Sequence, residues 1–209
     1  MPADRRTGLL VDFGGVLTTN VFASFAAFCR DEGLPEDLIA QAFRSSPVPR
    51  DLLFRLELGQ LSAADFEREF ARAIGLPDDR AEGLAGRLFA NAGPDDAMLS
   101  AVAAAKRAGV RTGLISNSWG EALVYDRERF PELFDGVVIS HEVGMRKPDP
   151  AIYTLGAERI GLPPEACVFV DDLGGNLKPA LALGMATVKH VSADETIPQL
   201  EELLGVPLR

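Results

Sequence analysis

Cysteine, histidine and long apolar runs are scarce in this 209-residue chain, which narrows what the protein can be. The two cysteines, Cys29 and Cys167, stand far apart in apolar segments, a pattern that favours two reduced thiols over a disulfide. The two histidines, His141 and His190, lack the spacing of a zinc site. No apolar run reaches the ~20 residues that a membrane-spanning helix needs. We therefore expect no disulfide scaffold, no zinc site and no membrane association.

Positively charged residues are also outnumbered by negatively charged ones. Lys and Arg together number 21 against 31 Asp and Glu, which gives a formal net charge of −10. Phosphate backbones and anionic membrane surfaces bind clustered positive charge, so the balance argues against a nucleic-acid partner. A hydrophobic content of 47% with 25% charged residues is ordinary for a globular protein. We expect a cytoplasmic protein whose partner is a small molecule.

Short apolar segments alternate with helical patterns along most of the chain. The predicted strands cover residues 9–13, 110–116, 136–140, 167–171 and 186–189. The predicted helices cover residues 95–108, 149–160 and 177–183, and each is followed by a glycine, the usual stop signal. Continuous apolar strands that alternate with helices indicate a parallel sheet covered on both faces. The predicted fold class is α/β, a doubly wound parallel sheet of the Rossmann-like type.

One region departs from this alternation. Residues 19–91 contain several helical patterns, such as SAADFEREFARAIG, and no convincing strand. We interpret this region as a helical cap inserted after the first strand, with 1–18 and 92–209 forming the α/β core. Three arginines of the insert, Arg44, Arg50 and Arg55, are expected to face water, unless one of them reaches the far end of a substrate.

Reactive side chains stand where the predicted strands end. Ligands of open parallel sheets bind outside the carboxyl ends of the strands, so these side chains are expected to meet at one edge. Four separate segments contribute them: Asp12, Ser116 with Asn117, Lys147, and Asp171 with Asp172.

This set of groups suits phosphoryl transfer through a covalent intermediate on an aspartate. Mg²⁺ prefers carboxylate and carbonyl oxygens, which Asp12, Asp172 and the backbone of Gly14 can supply. Lys147 places a positive charge against the phosphoryl oxygens, while the Ser116 hydroxyl and nearby backbone N–H groups donate hydrogen bonds. Glycines after Asp12 allow a sharp turn and a close approach to the ligand.

The same segments resemble the motifs of the haloacid dehalogenase-like hydrolases. DFGGV is similar to the first motif, LISNS to the second, the lysine of VGMRKPDPAIY to the third and VFVDDLGGNLKPALALGM to the fourth. Within that family the chain looks most similar to the N-terminal phosphatase domain of soluble epoxide hydrolases. The resemblance implies a hydrolase that uses Mg²⁺ and carries a helical cap.

The resemblance also implies a role for each matched position. Asp12 would be nucleophile and metal ligand, Gly14 and Asp172 would be metal ligands, and Lys147 would stabilise charge. Phosphate contacts are implied at or beside matched positions for Ser116, Asn117 and Gly15. Asp171 and Asn176 would support the metal ligands from behind. Asn176 is also expected to cap the following helix.

The chain differs from that pattern at Gly14, where phosphatases of the family usually have a second Asp that acts as general acid and base. We therefore expect hydrolysis of phosphate monoesters whose leaving groups need little protonation, such as aryl, acyl or anomeric sugar phosphates. Two alternatives stay open. One is a 2-haloacid dehalogenase, which needs no metal, and the other is a ligand-binding descendant without turnover. The sequence also leaves the oligomeric state open, with a homodimer as one option.

Overall fold

A five-stranded parallel sheet lies at the centre of the protein in the computed structural model, which describes residues 5–120 and 125–209. The spatial order of the strands is β3-β2-β1-β4-β5. Their bounds are β1 (Gly8–Val11), β2 (Arg111–Ser116), β3 (Gly136–Ile139), β4 (Cys167–Asp171) and β5 (Ala186–Lys189). The predicted doubly wound α/β fold is confirmed, and each predicted strand is present to within two residues at either end.

The central strands are apolar because both faces of the sheet are covered. Successive side chains of a strand point to opposite faces, and in β1 the side chains of Leu9 and Leu10 belong to different hydrophobic clusters. β4 follows the same rule, with Val168 in the first cluster and Phe169 in the second. All residues of both strands are buried.

The first five α-helices belong to the insert, and the later helices belong to the core. The insert contains α1 (Val21–Asp31), α2 (Leu38–Ser45), α3 (Pro47–Glu57), α4 (Ala63–Ala73) and α5 (Leu84–Leu88). The later helices are α6 (Asp96–Arg107), α7 (Phe130–Leu133), α8 (Ser140–Val143), α9 (Pro150–Arg159), α10 (Gly174–Ala182) and α11 (Ala193–Leu204). Among the described residues, no helix combines the length and the apolarity required to cross a bilayer.

The strand order reverses direction at β1, which pairs with β2 on one side and β4 on the other. Ligands of doubly wound folds bind in the crevice that such a reversal creates. The chain leaves β1 at Asp12, whose N–H donates to the carbonyl of Val170 over 2.9 Å. This pairing places Asp12 beside Asp171, the last residue of β4.

The helices of the insert enclose a hydrophobic cluster of their own. Ser62 caps α4 by accepting the N–H of Asp65. Cys29 lies in this cluster, whereas Cys167 is the first residue of β4. Both thiols are free and buried. Trp119 joins the cluster from outside the insert, since it follows β2 in the chain.

The indole of Trp119 is held by aromatic rings of the insert. It makes edge-on or tilted contacts with four phenylalanine rings at centroid distances of 4.9–5.8 Å: Phe25, Phe43, Phe66 and Phe89. Such contacts add to the free energy that the burial of a large aromatic ring contributes. Trp119 therefore fastens the loop after β2 to the helices above the sheet.

Substituting Trp119→Ala is expected to lower the free energy of unfolding by about 3–5 kcal/mol, because the cavity left among four rings cannot collapse fully. Guanidinium unfolding followed by circular dichroism measures this, since the variant lacks the single tryptophan needed for fluorescence. Trp119→Phe is the control and should lose clearly less. A loss below about 1 kcal/mol for the alanine variant would contradict this packing role.

Candidate active site

A buried lysine joins two of the predicted acids. Lys147 Nζ lies 2.7 Å from Asp12 Oδ1 and 2.8 Å from Asp171 Oδ2. Lys147 and Asp171 have no exposed surface, and Asp12 is 8% exposed. Ion pairs at this depth are weakly screened by solvent, so the three side chains hold one another in fixed positions. The third and fourth sequence motifs thus meet the first at the reversal point of the sheet.

A third carboxylate completes an oxygen-rich cluster. One oxygen from each of Asp12, Asp171 and Asp172 lies within 4.8 Å of the other two. Three carboxylates so close together repel one another, and Lys147 supplies a single positive charge against them. Clusters of hard oxygen donors with excess negative charge suit a divalent cation such as Mg²⁺.

The pKa values of these groups reflect the excess of negative charge in the cluster. Burial raises the pKa of Asp12 to about 8; Lys147 opposes the rise, while Asp171 and Asp172 add to it. Burial and the neighbouring Asp171 raise the pKa of Asp172 to about 6. Burial alone would lower the pKa of Lys147, but Asp12 and Asp171 outweigh it and raise that pKa above its usual value. Without a further cation the burial and charge of the site therefore favour a proton on Asp12 more than solvent does.

Asp171 is saturated by donors from its own segment and from Lys147. Its two oxygens accept hydrogen bonds from the N–H of Leu173, from Asn176 Nδ2 and from Lys147 Nζ, at 2.8–3.0 Å. The carbonyl of Asn176 in turn accepts the hydroxyl of Tyr153 over 2.7 Å. The prediction that Asn176 caps a helix is wrong, because α10 begins two residues earlier, at Gly174.

Ser116 ends β2 with its hydroxyl buried. Its Oγ lies 2.9 Å from the hydroxyl of Tyr125, a residue that no sequence pattern had indicated. Burial raises the pKa of Tyr125 to about 12, so this phenol stays neutral. The Tyr125 ring also packs edge-on against Phe13, the neighbour of Asp12, at a centroid distance of 4.8 Å. Tyr125 thus contacts the first and second motifs together.

Asn117 is turned toward the backbone of Lys147. Its Nδ2 donates to the carbonyl of Lys147 over 3.0 Å, and its Oδ1 accepts the N–H of Lys147 over 2.8 Å. The predicted phosphate contact of Asn117 stays a prediction. In this structure the Asn117 side chain instead forms two hydrogen bonds with backbone groups of Lys147.

The two glycines after Asp12 differ in backbone conformation and in the space available for a Cβ atom. Gly15 has a φ of +76°, and a Cβ atom there would lie 2.6 Å from Asp172 Oδ2. Its N–H donates to Thr18 Oγ1 over 2.9 Å, so in this structure that group is used within the turn. Gly14 does not have a positive φ, and a Cβ atom there would meet only Val21 Cγ2 at 3.4 Å. The turn therefore requires glycine at position 15 and not at position 14.

A cavity of about 790 Å³ opens above this cluster, between the sheet and the insert. Asp12, Gly14, Lys147 and Asp172 line one part of it. Most of its other walls are apolar and include the following aromatic residues: Phe13, Phe22, Phe25, Phe43, Phe89, Trp119, Phe130 and Phe134. Of the three arginines considered from the sequence, Arg44 lines the cavity and the other two do not.

Sequence reasoning missed an ion pair among the charged residues that line this cavity, Glu57 with Arg146. Glu57 ends α3 and is 5% exposed, and its Oε2 lies 2.6 Å from Arg146 Nε. Burial raises the pKa of Glu57, although Arg146 opposes the shift. No periodicity or spacing distinguishes Glu57 from other acids of the insert, because its partners come from distant segments. Arg146 carried one weak signal, its position directly before Lys147.

The sheet order, the acidic cluster at the reversal point and the insert after β1 define a doubly wound α/β protein with a ligand site at this edge. The model of the haloacid dehalogenase-like hydrolases matches residues 7–184. The chain belongs to this family, which confirms the resemblance found in its motifs.

Individual relatives agree with the family assignment. The chain is 28% identical to bifunctional epoxide hydrolase 2 of Mus musculus, over 93% of this chain and 38% of the relative. It is 29% identical to the sesquiterpene phosphatase astK of Aspergillus oryzae, over 72% of this chain and 78% of the relative. Several curated relatives are much longer, and the matches span only 10–38% of four of them.

A solved structure has the same fold. A haloacid dehalogenase family enzyme of Bacteroides thetaiotaomicron, in a mutant form with magnesium and inorganic phosphate, aligns with a TM-score of 0.67 at 20% sequence identity. The alignment covers 89% of this chain and 94% of the other.

Substituting Gly15→Ala is expected to lower the free energy of unfolding by at least ~1–2 kcal/mol, since alanine is strained at positive φ and its Cβ displaces Asp172. Gly14→Ala is the matched control. It should be neutral or stabilise the protein by up to about 1 kcal/mol, because its backbone suits alanine. Urea unfolding of both variants measures the difference, and equal losses at the two positions would contradict the described turn.

Proposed function

We propose that this protein hydrolyses phosphate monoesters of small organic molecules, with Asp12 as the nucleophile. The observation that carries the proposal is the position of Asp12: a buried carboxylate at the end of a cavity, paired with Lys147 and adjacent to two further acids. The phosphatase named among the relatives supports the same reaction class.

The residues present fit a magnesium ion. Asp171 is saturated by its own hydrogen bonds, which leaves Asp12 and Asp172 as the carboxylates available to an ion, with the carbonyl of Gly14 as a third donor. Magnesium typically takes one or two carboxylates and fills its other positions with water and substrate oxygens. When bound, the ion neutralises charge on the carboxylates and on the phosphate.

The proposed reaction has two displacements. An oxygen of Asp12 attacks the phosphorus of the monoester, and the bond from phosphorus to the organic oxygen breaks, which gives an aspartyl phosphate. The organic oxygen leaves as an alkoxide or phenoxide and takes its proton from water. Water then attacks the aspartyl phosphate, which releases inorganic phosphate and regenerates Asp12. Lys147 stays protonated, as its raised pKa requires, and places its charge beside the phosphoryl oxygens in both steps. The Ser116 hydroxyl is proposed to donate a hydrogen bond to the same oxygens.

The cavity favours an apolar organic group on the substrate. Its aromatic walls cannot satisfy the hydroxyl groups of a sugar, whereas they gain from burying rings or hydrocarbon. Among the leaving groups considered from the sequence, the apolar walls therefore favour aryl phosphates over sugar phosphates. Because residues of both parts line the cavity, we assign 19–91 to a cap and 1–18 with 92–209 to the core. The predicted cytoplasmic location and the homodimer stay predictions.

A dehalogenase is the weaker candidate. In that reaction Asp12 attacks carbon without a metal, and the single charge of Lys147 would then offset only part of the negative charge of Asp12, Asp171 and Asp172. The third candidate is a ligand-binding protein without turnover, which the glycine at position 14 would suit. The rest of the site favours turnover, since Asp12, Lys147 and the cavity are all in place.

Asp12→Asn is expected to abolish turnover, because an amide cannot attack phosphorus. Hydrolysis of p-nitrophenyl phosphate with Mg²⁺ measures this, and circular dichroism verifies that the variant is folded. If the variant keeps activity near that of the native protein, the assigned nucleophile is wrong.

Mg²⁺ is expected to raise the melting temperature of the native protein, since an ion that binds only the folded state stabilises it by mass action. Asp172→Ala should lose most of this increase, because it removes one of the two available carboxylates. Thermal unfolding at several Mg²⁺ concentrations, with Ca²⁺ as a second ion, measures the shift. A native melting temperature that does not change with Mg²⁺ would refute the metal site.

Gly14→Asp is expected to raise turnover of alkyl phosphates by about 10²-fold and that of aryl phosphates much less, because only the alkyl leaving group needs a proton donor. The φ of Gly14 is not positive, and a Cβ atom there would meet only Val21 Cγ2, at 3.4 Å. Rates on both substrate classes are compared in the variant and the native protein. Equal native rates on alkyl and aryl phosphates would show that another group already supplies the proton.

A further inference from the structure

Glu57 belongs to the insert by sequence but contacts the catalytic loops of the core. It is the last residue of α3, and its side chain is almost completely buried. Its Oε2 accepts hydrogen bonds from Arg146 Nε at 2.6 Å and from Asn117 Nδ2 at 3.4 Å. One carboxylate of the insert therefore reaches the loops after β2 and after β3.

The backbone of Glu57 makes a second link to the core. Its carbonyl accepts the hydroxyl of Ser140 over 2.6 Å, and Ser140 Oγ accepts the N–H of Ser118 over 2.9 Å. The guanidinium of Arg146 lies over the ring of Phe54, one turn earlier on α3, at 3.8 Å. The end of α3 is thus fixed to the core by polar contacts on the side chain and the backbone.

The contact with Asn117 determines how that amide is oriented. Asn117 Nδ2 faces two acceptors, the carbonyl of Lys147 and the carboxylate of Glu57, while Oδ1 faces the N–H of Lys147. A flipped amide would place its oxygen against both acceptors and its NH₂ group against a donor. Glu57 adds a second acceptor on the Nδ2 side and so favours the orientation that brackets Lys147.

The backbone of Lys147 must be held accurately because its side chain has to reach two carboxylates at once. Lys147 Nζ lies within 2.8 Å of two different carboxylates, on a stem of four flexible carbons. A displacement of ~1 Å in a catalytic group can lower a rate by about 10²-fold. Any group that fixes the backbone at position 147 therefore acts on catalysis.

We propose that Glu57 is a positioning residue through which the insert sets the place of Lys147, by way of Asn117. The inference rests on the proposed phosphatase function, in which Lys147 stabilises the phosphoryl oxygens. Glu57 itself touches neither the phosphate nor Asp12 in this role. The insert thus supplies a polar support for the lysine in addition to the walls of the cavity.

The test compares Glu57→Leu, which removes the acceptor, with Glu57→Gln, which keeps an acceptor oxygen of similar shape. Asp51→Asn is the control, since Asp51 is an exposed acid on the same helix. The kcat/KM for p-nitrophenyl phosphate with Mg²⁺ should fall about 10–100-fold in Glu57→Leu, recover in part in Glu57→Gln, and stay unchanged in the control. If Glu57→Leu does not fold, Glu57→Gln takes its place in the comparisons below.

A double-mutant comparison separates positioning from general loss of structure. If Glu57 acts through Asn117, adding Glu57→Leu to Asn117→Ala should change kcat/KM by less than about threefold beyond Asn117→Ala alone. Losses that multiply, or a Glu57 variant as active as the control, would overturn the inference. A loss confined to alkyl phosphates would also overturn it, because it would make Glu57 a proton donor.

Titration with inorganic phosphate and Mg²⁺ tests the inference without turnover. The phosphate dissociation constant should rise about 10-fold in Glu57→Leu and stay unchanged in Asp51→Asn. A native protein that binds phosphate but hydrolyses no monoester would refute the proposed function and leave this comparison valid. A native enzyme with full activity and an unchanged dissociation constant in Glu57→Leu would refute the role of Glu57 alone.

Discussion

The excess of negative charge at the end of the sheet is the constraint on which the site depends. Asp12, Asp171 and Asp172 converge within 4.8 Å, and Lys147 alone offsets them among the groups in contact. Burial and mutual repulsion, opposed by Lys147, raise the pKa of Asp12 to about 8 and so favour a proton on this carboxyl. A protonated carboxyl is a poor nucleophile, so the arrangement becomes reactive only when a cation takes the place of that proton.

The insert contributes to the walls of the cavity and contacts the loops of the core that carry the site. It supplies four of the eight aromatic residues that line the cavity, packs against the loop after β2 through Trp119 and contacts the Lys147 loop through Glu57. These contacts connect the region that contacts the organic part of a substrate with the groups proposed to act on its phosphate. A change in the packing of the insert is therefore expected to alter catalysis as well as substrate choice.

Much of this arrangement was predictable from the sequence, and the physical reason is the parallel sheet. Asp12, Ser116 and Asp171 end or follow buried strands, so the fold brings them to one edge without knowledge of any other contact. Glu57 and Tyr125 were not predictable, because packing between distant segments, which leaves no periodic pattern, determines their partners. Likewise, only the backbone angles distinguish Gly15, which the turn requires, from Gly14, which it does not.

Calorimetric titration of Mg²⁺ into the metal-free protein at pH 7, in two buffers of different ionisation enthalpy, tests the central claim most directly. Because metal binding displaces protons from its ligands, the charge balance of the site predicts the release of about one proton per ion. Asp12→Asn has no such proton to lose and should release none. Binding of Mg²⁺ to the native protein without proton release would contradict the account, and so would the absence of binding.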